Sequence, residues 1–552
     1  MLEKGKMKEN KLRIIPLGGL GEVGKNMMAY EYGGRILIVD IGLMFPENDM
    51  LGIDYIIPDF SYLMDKKDKV DGIVITHGHE DHTGAIHHVL QEINAPIYAT
   101  PLTKGLLEVK LGRNGLASRA VLKEVKAGDT VQIGPFKVEF FHVCHSIPDG
   151  VGLGISTPLG LIVHSGDYKF DHTPVDGWPS DYARLADFSS RGVLALLADS
   201  TNAERPGWTP SEKVIDAAFQ KVFREAQGRI IIVSFASLIS RMQQAINVAV
   251  EFRRKLAFAG MSMVDNSKMA QKLGYLSIPE GVIVPIDQAL SMPDEQVVIM
   301  CTGSQGEPSS ILGRLSMGTN RQFDIKAGDT VVLSSHPIPG NEEIIYRMIN
   351  RLFQQGANVI YEAIANVHVS GHASQEEMKL LLHLVQPKYF IPIHGELRQL
   401  KQHALLAKQI GIAEDHILVT ENGQVIEITE KGMKLAEKIP NSYIFVDGSG
   451  VGDVSEDIMR ERDVLARDGV VIINVNLDRF TGDVLGEPEV VSRGFIATRE
   501  NNELYAGLKK RVLETIKRVG SKDKGEIEQA CRAYLSNETR RRPVVMLNIG
   551  RS

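Results

Sequence analysis

The chain has 552 residues, of which 43% are hydrophobic and 24% charged, with a formal net charge of −7. That length exceeds one compact core, so about two or three domains are expected, with the composition of a soluble globular protein. The negative balance argues against a broad, nonspecific polyanion binder but leaves room for a locally basic groove.

The start MLEKGKMKENKLR is charged and lacks a secretory apolar stretch, and no apolar run reaches membrane-spanning length. A cytoplasmic protein without membrane association is expected. LRIIPL then reads as a strand leading into GGLGEVGKN, whose Gly19-x-Gly21-x-x-Gly24 formally matches a dinucleotide fingerprint. The next segment, KNMMAYEYGGRILIVD, reads as strand, so the helix N-terminus that would hold a pyrophosphate is missing. These glycines read instead as a hairpin or loop near the edge of a site.

Apolar, β-branched runs follow at 34–40, 71–77, 95–100, 136–143, 159–167 and 192–200. Short helices such as 83–93 fit between some of them, which predicts stacked α/β layers. From about residue 210 the alternation becomes regular. Strands are expected at 229–237, 282–286, 296–303, 329–335 and 358–363, with helices at 240–255 and 341–355. This reads as a second, mainly parallel α/β unit. A helix over 376–385 and the strand KYFIPIHG (388–395) come next, and the Gly/Asp-rich IFVDGSGVGD (444–453) marks a boundary. The last stretch reads strand (470–477), helix (503–519), helix (525–535) and strand (543–549), a small α+β domain.

The run ITHGHEDHTGA (75–85) carries the chemistry. It places three of the 16 histidines within six residues, His77 to His82. In extended geometry His77 and His79 share a side, and Asp81 and His82 follow through a turn where a helix begins. Imidazole and carboxylate are ligands of zinc and related ions. Four such groups in two pairs suggest two ions side by side; a loop merely rich in histidine is the competing reading. Two ions need more ligands from distant strand ends, and His145, Asp167 and His394 each close an apolar run. His142 and His164 lie beside two of them, and strand parity does not separate the alternatives. His87 and His88, inside the expected helix, read as ordinary amphipathic positions. The cysteines Cys144, Cys301 and Cys531 are far apart and form neither a disulfide framework nor a CxxC site. KKR (509–511) and RRR (540–542) read as solvated surface, with contact to a nucleic-acid backbone as the other reading.

HGHEDH resembles the HxHxDH signature of the metallo-β-lactamase superfamily. ADST (198–201), SGHAS (370–374) and PIHGE (392–396) resemble the further motifs of the β-CASP nucleases. With HSIPD, ERPGWT (204–209), SFAS (234–237), CTGSQGEP (301–308), IPGNE (338–342) and the C-terminal part, essentially the whole chain resembles the bacterial ribonuclease J family. The fold this implies is a metallo-β-lactamase αββα sandwich, with an inserted β-CASP α/β domain and a small C-terminal α+β domain. The division would be 1–209 and 361–446 for the sandwich, 210–360 for the insertion, 447–460 for a linker and 461–552 for an oligomerisation domain.

The resemblance implies that His77, His79 and His145 hold one divalent ion, and that Asp81, His82 and His394 hold the other. Asp167 would bridge them, with Asp40 orienting the site; zinc and manganese both suit such ligands. Asp199 and His372 would transfer a proton to the leaving O3′. Phe235, Ala236 and Ser237, with His368, Val369, Ser370, Gly371 and His372, would bind the RNA backbone or its 5′ end. Asp447 is a candidate for a structural calcium, against a plain interdomain loop. The implied substrate is single-stranded RNA, preferably 5′-monophosphorylated, cut both 5′-to-3′ and internally by a homodimer or homotetramer, with an RNA-decay assembly as a further partner. Three rivals remain: a DNA nuclease of the same group, against which His394 argues; a small-ester hydrolase, which has no need of the large insertion; and a non-catalytic scaffold, which has no need of the full ligand set.

Overall fold

In the strand Val193–Asp199, Ala195 and Leu197 enter one apolar layer while Leu196 and Ala198 enter another. A strand covered on both faces needs a continuous apolar run rather than alternation, and VLALLA is such a run. The computed structural model describes residues 10–551 apart from 48, 339 and 497–501. Most of the charged start, and Pro339 of IPGNE, therefore lie outside the described residues.

The chain divides into two units, the larger comprising the described residues of Met1–Glu47 and Tyr55–Ile444. Its framework is an eight-stranded sheet facing a six-stranded one. Between them Leu12, Ile14, Leu37 and Val39 meet Val138, Phe140, Leu153 and Leu197 in a single buried layer. Helices Gln375–Val385 and Leu397–Gln409 cover the outer face of the six-stranded sheet through Leu381, Leu382 and Leu406. This is the αββα sandwich.

The segment between the two parts of the sandwich builds a five-stranded sheet of its own. All of its pairings are parallel: Lys255–Phe258, Val297–Cys301, Ile230–Val233, Thr330–Leu333 and Asn358–Ile360, in spatial order. Here the structure departs from the sequence reading. The helix expected to reach 255 ends at Glu251, and Arg253, at φ 55°, turns the chain into an unforeseen strand. VIVPI (282–286) makes only the isolated bridge of Ile283 to Leu256, because Pro285 leads straight into the helix Ile286–Leu290.

The smaller unit comprises the described residues of Asn48–Asp54 and Phe445–Ser552. Val470–Leu477 is its central strand, antiparallel to Glu489–Arg493 and parallel to Val544–Arg551. Helices Asn502–Val519 and Lys524–Thr539 pack Leu508, Val512, Ile527 and Cys531 into its core. A further helix, Glu456–Asp468, starts inside the stretch expected to be a linker; Ser455 caps it, and none of its side chains is buried. With no core face, it left no apolar period to read. No described helix is long and apolar enough to cross a membrane.

The inserted sheet is locked by a buried fork. Arg229 Nε and Nη2 bond the two Asp329 oxygens at 2.9 and 2.5 Å, with both side chains almost wholly out of water. Arg229→Met removes the only cation on that carboxylate among the described residues. It is expected to lower stability by about 3–5 kcal/mol, the cost of breaking a buried pair, as read from urea unfolding.

Candidate metal centre

Arg35–Val39 runs parallel to Val70–Val74, and Gly160–His164, Val193–Asp199 and Tyr389–Ile393 run parallel to one another. Parallel strands bring their C-terminal ends to one edge, where the following residues converge. Asp40, His77, Asp167, Asp199 and His394 all stand at such ends. Asp40 and His394 adopt φ of 61° and 51°, a left-handed conformation uncommon outside glycine and asparagine and held only where the surroundings over-determine it.

Three imidazoles form one cluster. His79 Nδ1 lies 3.1 Å from both His77 Nε2 and His145 Nε2. Ligands around a tetrahedral ion with bonds of about 2.0–2.1 Å stand roughly 3.3 Å apart, so this spacing fits. His145 is aimed by its other nitrogen, which donates to the Gly371 carbonyl at 2.7 Å. Gly371 must be glycine for this approach, since a Cβ there would stand 2.5 Å from the His145 ring.

Asp81, His82, Asp167 and His394 form the second cluster. His82 Nε2 is 3.4 Å from Asp81 Oδ2 and 3.2 Å from Asp167 Oδ2; His394 Nε2 is 3.3 Å from Asp81 Oδ2. Asp40 accepts from His82 Nδ1 at 2.8 Å and is itself held by the Thr76 N–H and hydroxyl, both at 2.8 Å. A carboxylate on the far nitrogen fixes the tautomer and leaves Nε2 free to ligate. Asp167 Oδ2 also lies 3.7 Å from both His77 Nε2 and His145 Nε2, so this one carboxylate reaches both clusters.

The ambiguous histidines resolve here. His164 Nδ1 meets the Tyr30 hydroxyl at 2.8 Å, while His142 donates to the Pro179 carbonyl and stacks on Trp178. His88 meets the Tyr55 hydroxyl. None of them joins either cluster. Asp447 ion-pairs with Arg462 at 2.6 Å and belongs to no metal-competent group among the described residues.

His372 Nδ1 lies 2.7 Å from Asp199 Oδ2, and Asp199 Oδ1 accepts from the Thr201 N–H and hydroxyl and lies 3.2 Å from His394 Nδ1. Phe235, Ala236 and Ser237, all half-buried, follow the strand Ile230–Val233. Arg241, on the next helix, bonds the carbonyl of Val367, which ties that region to His368, Val369 and Ser370. The sequence reading missed Thr76, Thr201 and Asn26, whose amide donates to the Asp81 carbonyl at 3.1 Å. Thr76 and Thr201 do lie inside the quoted runs ITHGHEDHTGA and ADST, and Asn26 ends the glycine loop.

The two clusters differ electrostatically. Burial is the main force holding His77, His79 and His145 below the ordinary histidine range, His79 at about 4. These are neutral lone pairs facing one another, the form in which imidazole ligates. Burial also depresses His82 and His394, but Asp167, Asp81 and their neighbours prevail and raise both, His394 to about 10. Burial would raise Asp81 and Asp167, yet the adjacent imidazoles hold both well below the usual carboxylate range. Protons there balance carboxylate charge that a divalent cation balances equally well. The donor set therefore fits two divalent ions.

Family models match in chain order: metallo-beta-lactamase superfamily over 20–201, ribonuclease J beta-CASP domain over 227–352, Zn-dependent metallo-hydrolase RNA specificity domain over 356–419, and ribonuclease J C-terminal domain over 457–552. The chain is 43% identical to ribonuclease J 1 of Streptococcus pyogenes over 548 residues, 98% of each chain. It is 40% identical to ribonuclease J2 of Bacillus subtilis, covering 98% of this chain and 99% of that one. With ribonuclease J of Thermus thermophilus it shares 41% over 98% and 95%. A crystal structure of a protein of unknown function from Enterococcus faecalis V583 is similar with a TM-score of 0.54 at 14% identity, over 76% of this chain and 100% of that one, a likeness of fold alone. Identity at this level across nearly the full length shows that the chain belongs to the ribonuclease J family of the metallo-β-lactamase superfamily.

Proposed function

We propose that this hydrolase, which acts on RNA, is a two-metal ribonuclease for single-stranded RNA, cutting 5′-to-3′ one nucleotide at a time and also internally, in RNA maturation and mRNA decay. The observation that carries the reading is Asp167, whose carboxylate stands within 3.7 Å of His77 and His145 and within 3.3 Å of His82 and His394. His77, His79 and His145 would hold one ion and Asp81, His82 and His394 the other, with Asp167 shared and zinc or manganese as the metal. Such a pair, when bound, lowers the pKa of a shared water and neutralises charge on phosphoryl oxygens.

The protein's own groups do the rest. Asp199 occupies His372 Nδ1, leaving Nε2 as the nitrogen available to substrate. Burial lowers the His372 pKa, but Asp199 more than offsets it and raises it, which favours this ring as the group that would give a proton to the leaving O3′. His368, Val369, Ser370 and Gly371, with Phe235, Ala236 and Ser237, would seat the RNA backbone and a 5′-monophosphate, preferred over a triphosphate. In this reading residues 1–209 and 361–446 form the catalytic domain, 210–360 the clamp and 461–552 the contact of a cytoplasmic homodimer or homotetramer. Asp447 is left to its ion pair with Arg462.

The reading is tested on RNA labelled at either end and bearing a 5′-mono- or triphosphate. Mononucleotides should leave the 5′ end, faster from the monophosphate; no cleavage by metal-loaded protein would sink the proposal. Chelation is expected to abolish cleavage, with zinc or manganese restoring it, and metal analysis should plateau at two ions per chain. His372→Ala should lose most turnover, on the order of 10²–10⁴-fold for a lost proton donor, while keeping its metal. Gly371→Ala should push His145 aside, lowering both metal content and turnover.

A further inference from the structure

The helix Gln375–Val385 begins with a capping box, in which Glu377 accepts from the Ser374 N–H at 2.8 Å. A glutamate in the third helical position reads as a local cap and nothing more. Its carboxylate does considerably more. Oε2 also accepts from the Thr209 N–H at 2.7 Å, and Oε1 accepts from the Phe170 N–H at 2.8 Å. Glu377 is wholly buried. All three donors are backbone amides, drawn from segments that are distant in sequence.

Each of those segments borders the reactive edge. Phe170 lies three residues after Asp167, and Ser374 two residues after His372. The Thr209 hydroxyl donates to the His372 carbonyl at 2.7 Å, and Asn202 donates to the same carbonyl at 3.0 Å. One carboxylate thus braces the loop carrying the bridging aspartate against the loop carrying the proposed acid.

The geometry points to Glu377 as a positioning residue that sets His372 against Asp167 through these backbone bonds. It rests on the reading of His372 as proton donor. Gln at this position still satisfies a capping box. However, Gln has one acceptor oxygen, so its amide nitrogen must face either the Phe170 N–H or the Thr209 and Ser374 pair. A cap tolerates Glu377→Gln; a brace does not.

The test compares Glu377→Gln with the parent protein, metal-loaded, on 5′-monophosphorylated RNA. A misplacement of about 1 Å costs about 100-fold, so kcat should fall roughly 10–100-fold, with KM and metal content unchanged. In the His372→Ala background the same change should cost little more, since both act through one group. Hydrogen exchange of the metal-free protein should quicken at Phe170 or Thr209. If Glu377→Gln does not fold, Thr209→Ala, which removes the hydroxyl bond to His372, takes its place in the same cycle. Parent-like kcat in Glu377→Gln, or a fully additive loss with His372→Ala, overturns the inference. Parent-like turnover in His372→Ala overturns instead the reading on which it rests.

Discussion

Asp167 sits between two sets of imidazoles with almost none of its surface in water, where an isolated carboxylate costs far more than folding can supply. Everything around it answers that demand. His82 and His394 approach one side, His77 and His145 the other. The surrounding groups are in turn held: His82 by Asp40, Asp40 by Thr76, His145 by the Gly371 carbonyl. A buried polar network is stable only when every member is satisfied, so none of these residues is independent of the others.

The route of the chain explains why the inserted unit is tied to the chemistry. Strands of the six-stranded sheet contribute Asp167 and Asp199 before the insertion and His394 after it. On its return from the insertion, the chain passes through HVSGH before entering the helix that covers this sheet. That passage delivers Gly371 to His145 and His372 to Asp199. Arg241, from the insertion, anchors the start of the passage at Val367. The proposed substrate contacts and the bonds to His145 and Asp199 thus share one stretch of five residues.

Local chemistry made part of this legible. His77, His79, Asp81 and His82 are too costly to cluster without a purpose, and that cost is visible in sequence. Strand ends singled out His145, Asp167 and His394 but could not dismiss His142 and His164. What dismisses these two is tertiary: a carbonyl at 179 and a hydroxyl at 30. Lys255–Phe258 was hidden because a left-handed turn at Arg253, not a glycine or proline, separates it from its helix. Glu377 was hidden for the opposite reason, since its local role is sufficient to explain its presence.

The carboxylate of Asp199 carries the coupling furthest. One oxygen faces His372 at 2.7 Å; the other faces His394 at 3.2 Å and takes two bonds from Thr201. The proposed proton donor and a proposed ligand therefore share one anion, wholly buried at the end of its strand. Moving either imidazole disturbs the charge felt by the other, in surroundings where low dielectric magnifies the effect. A site built this way ties the placement of the proposed acid to the placement of the imidazole beside it. That constraint accounts for the many backbone groups and short hydroxyl side chains that fix its outer bonds.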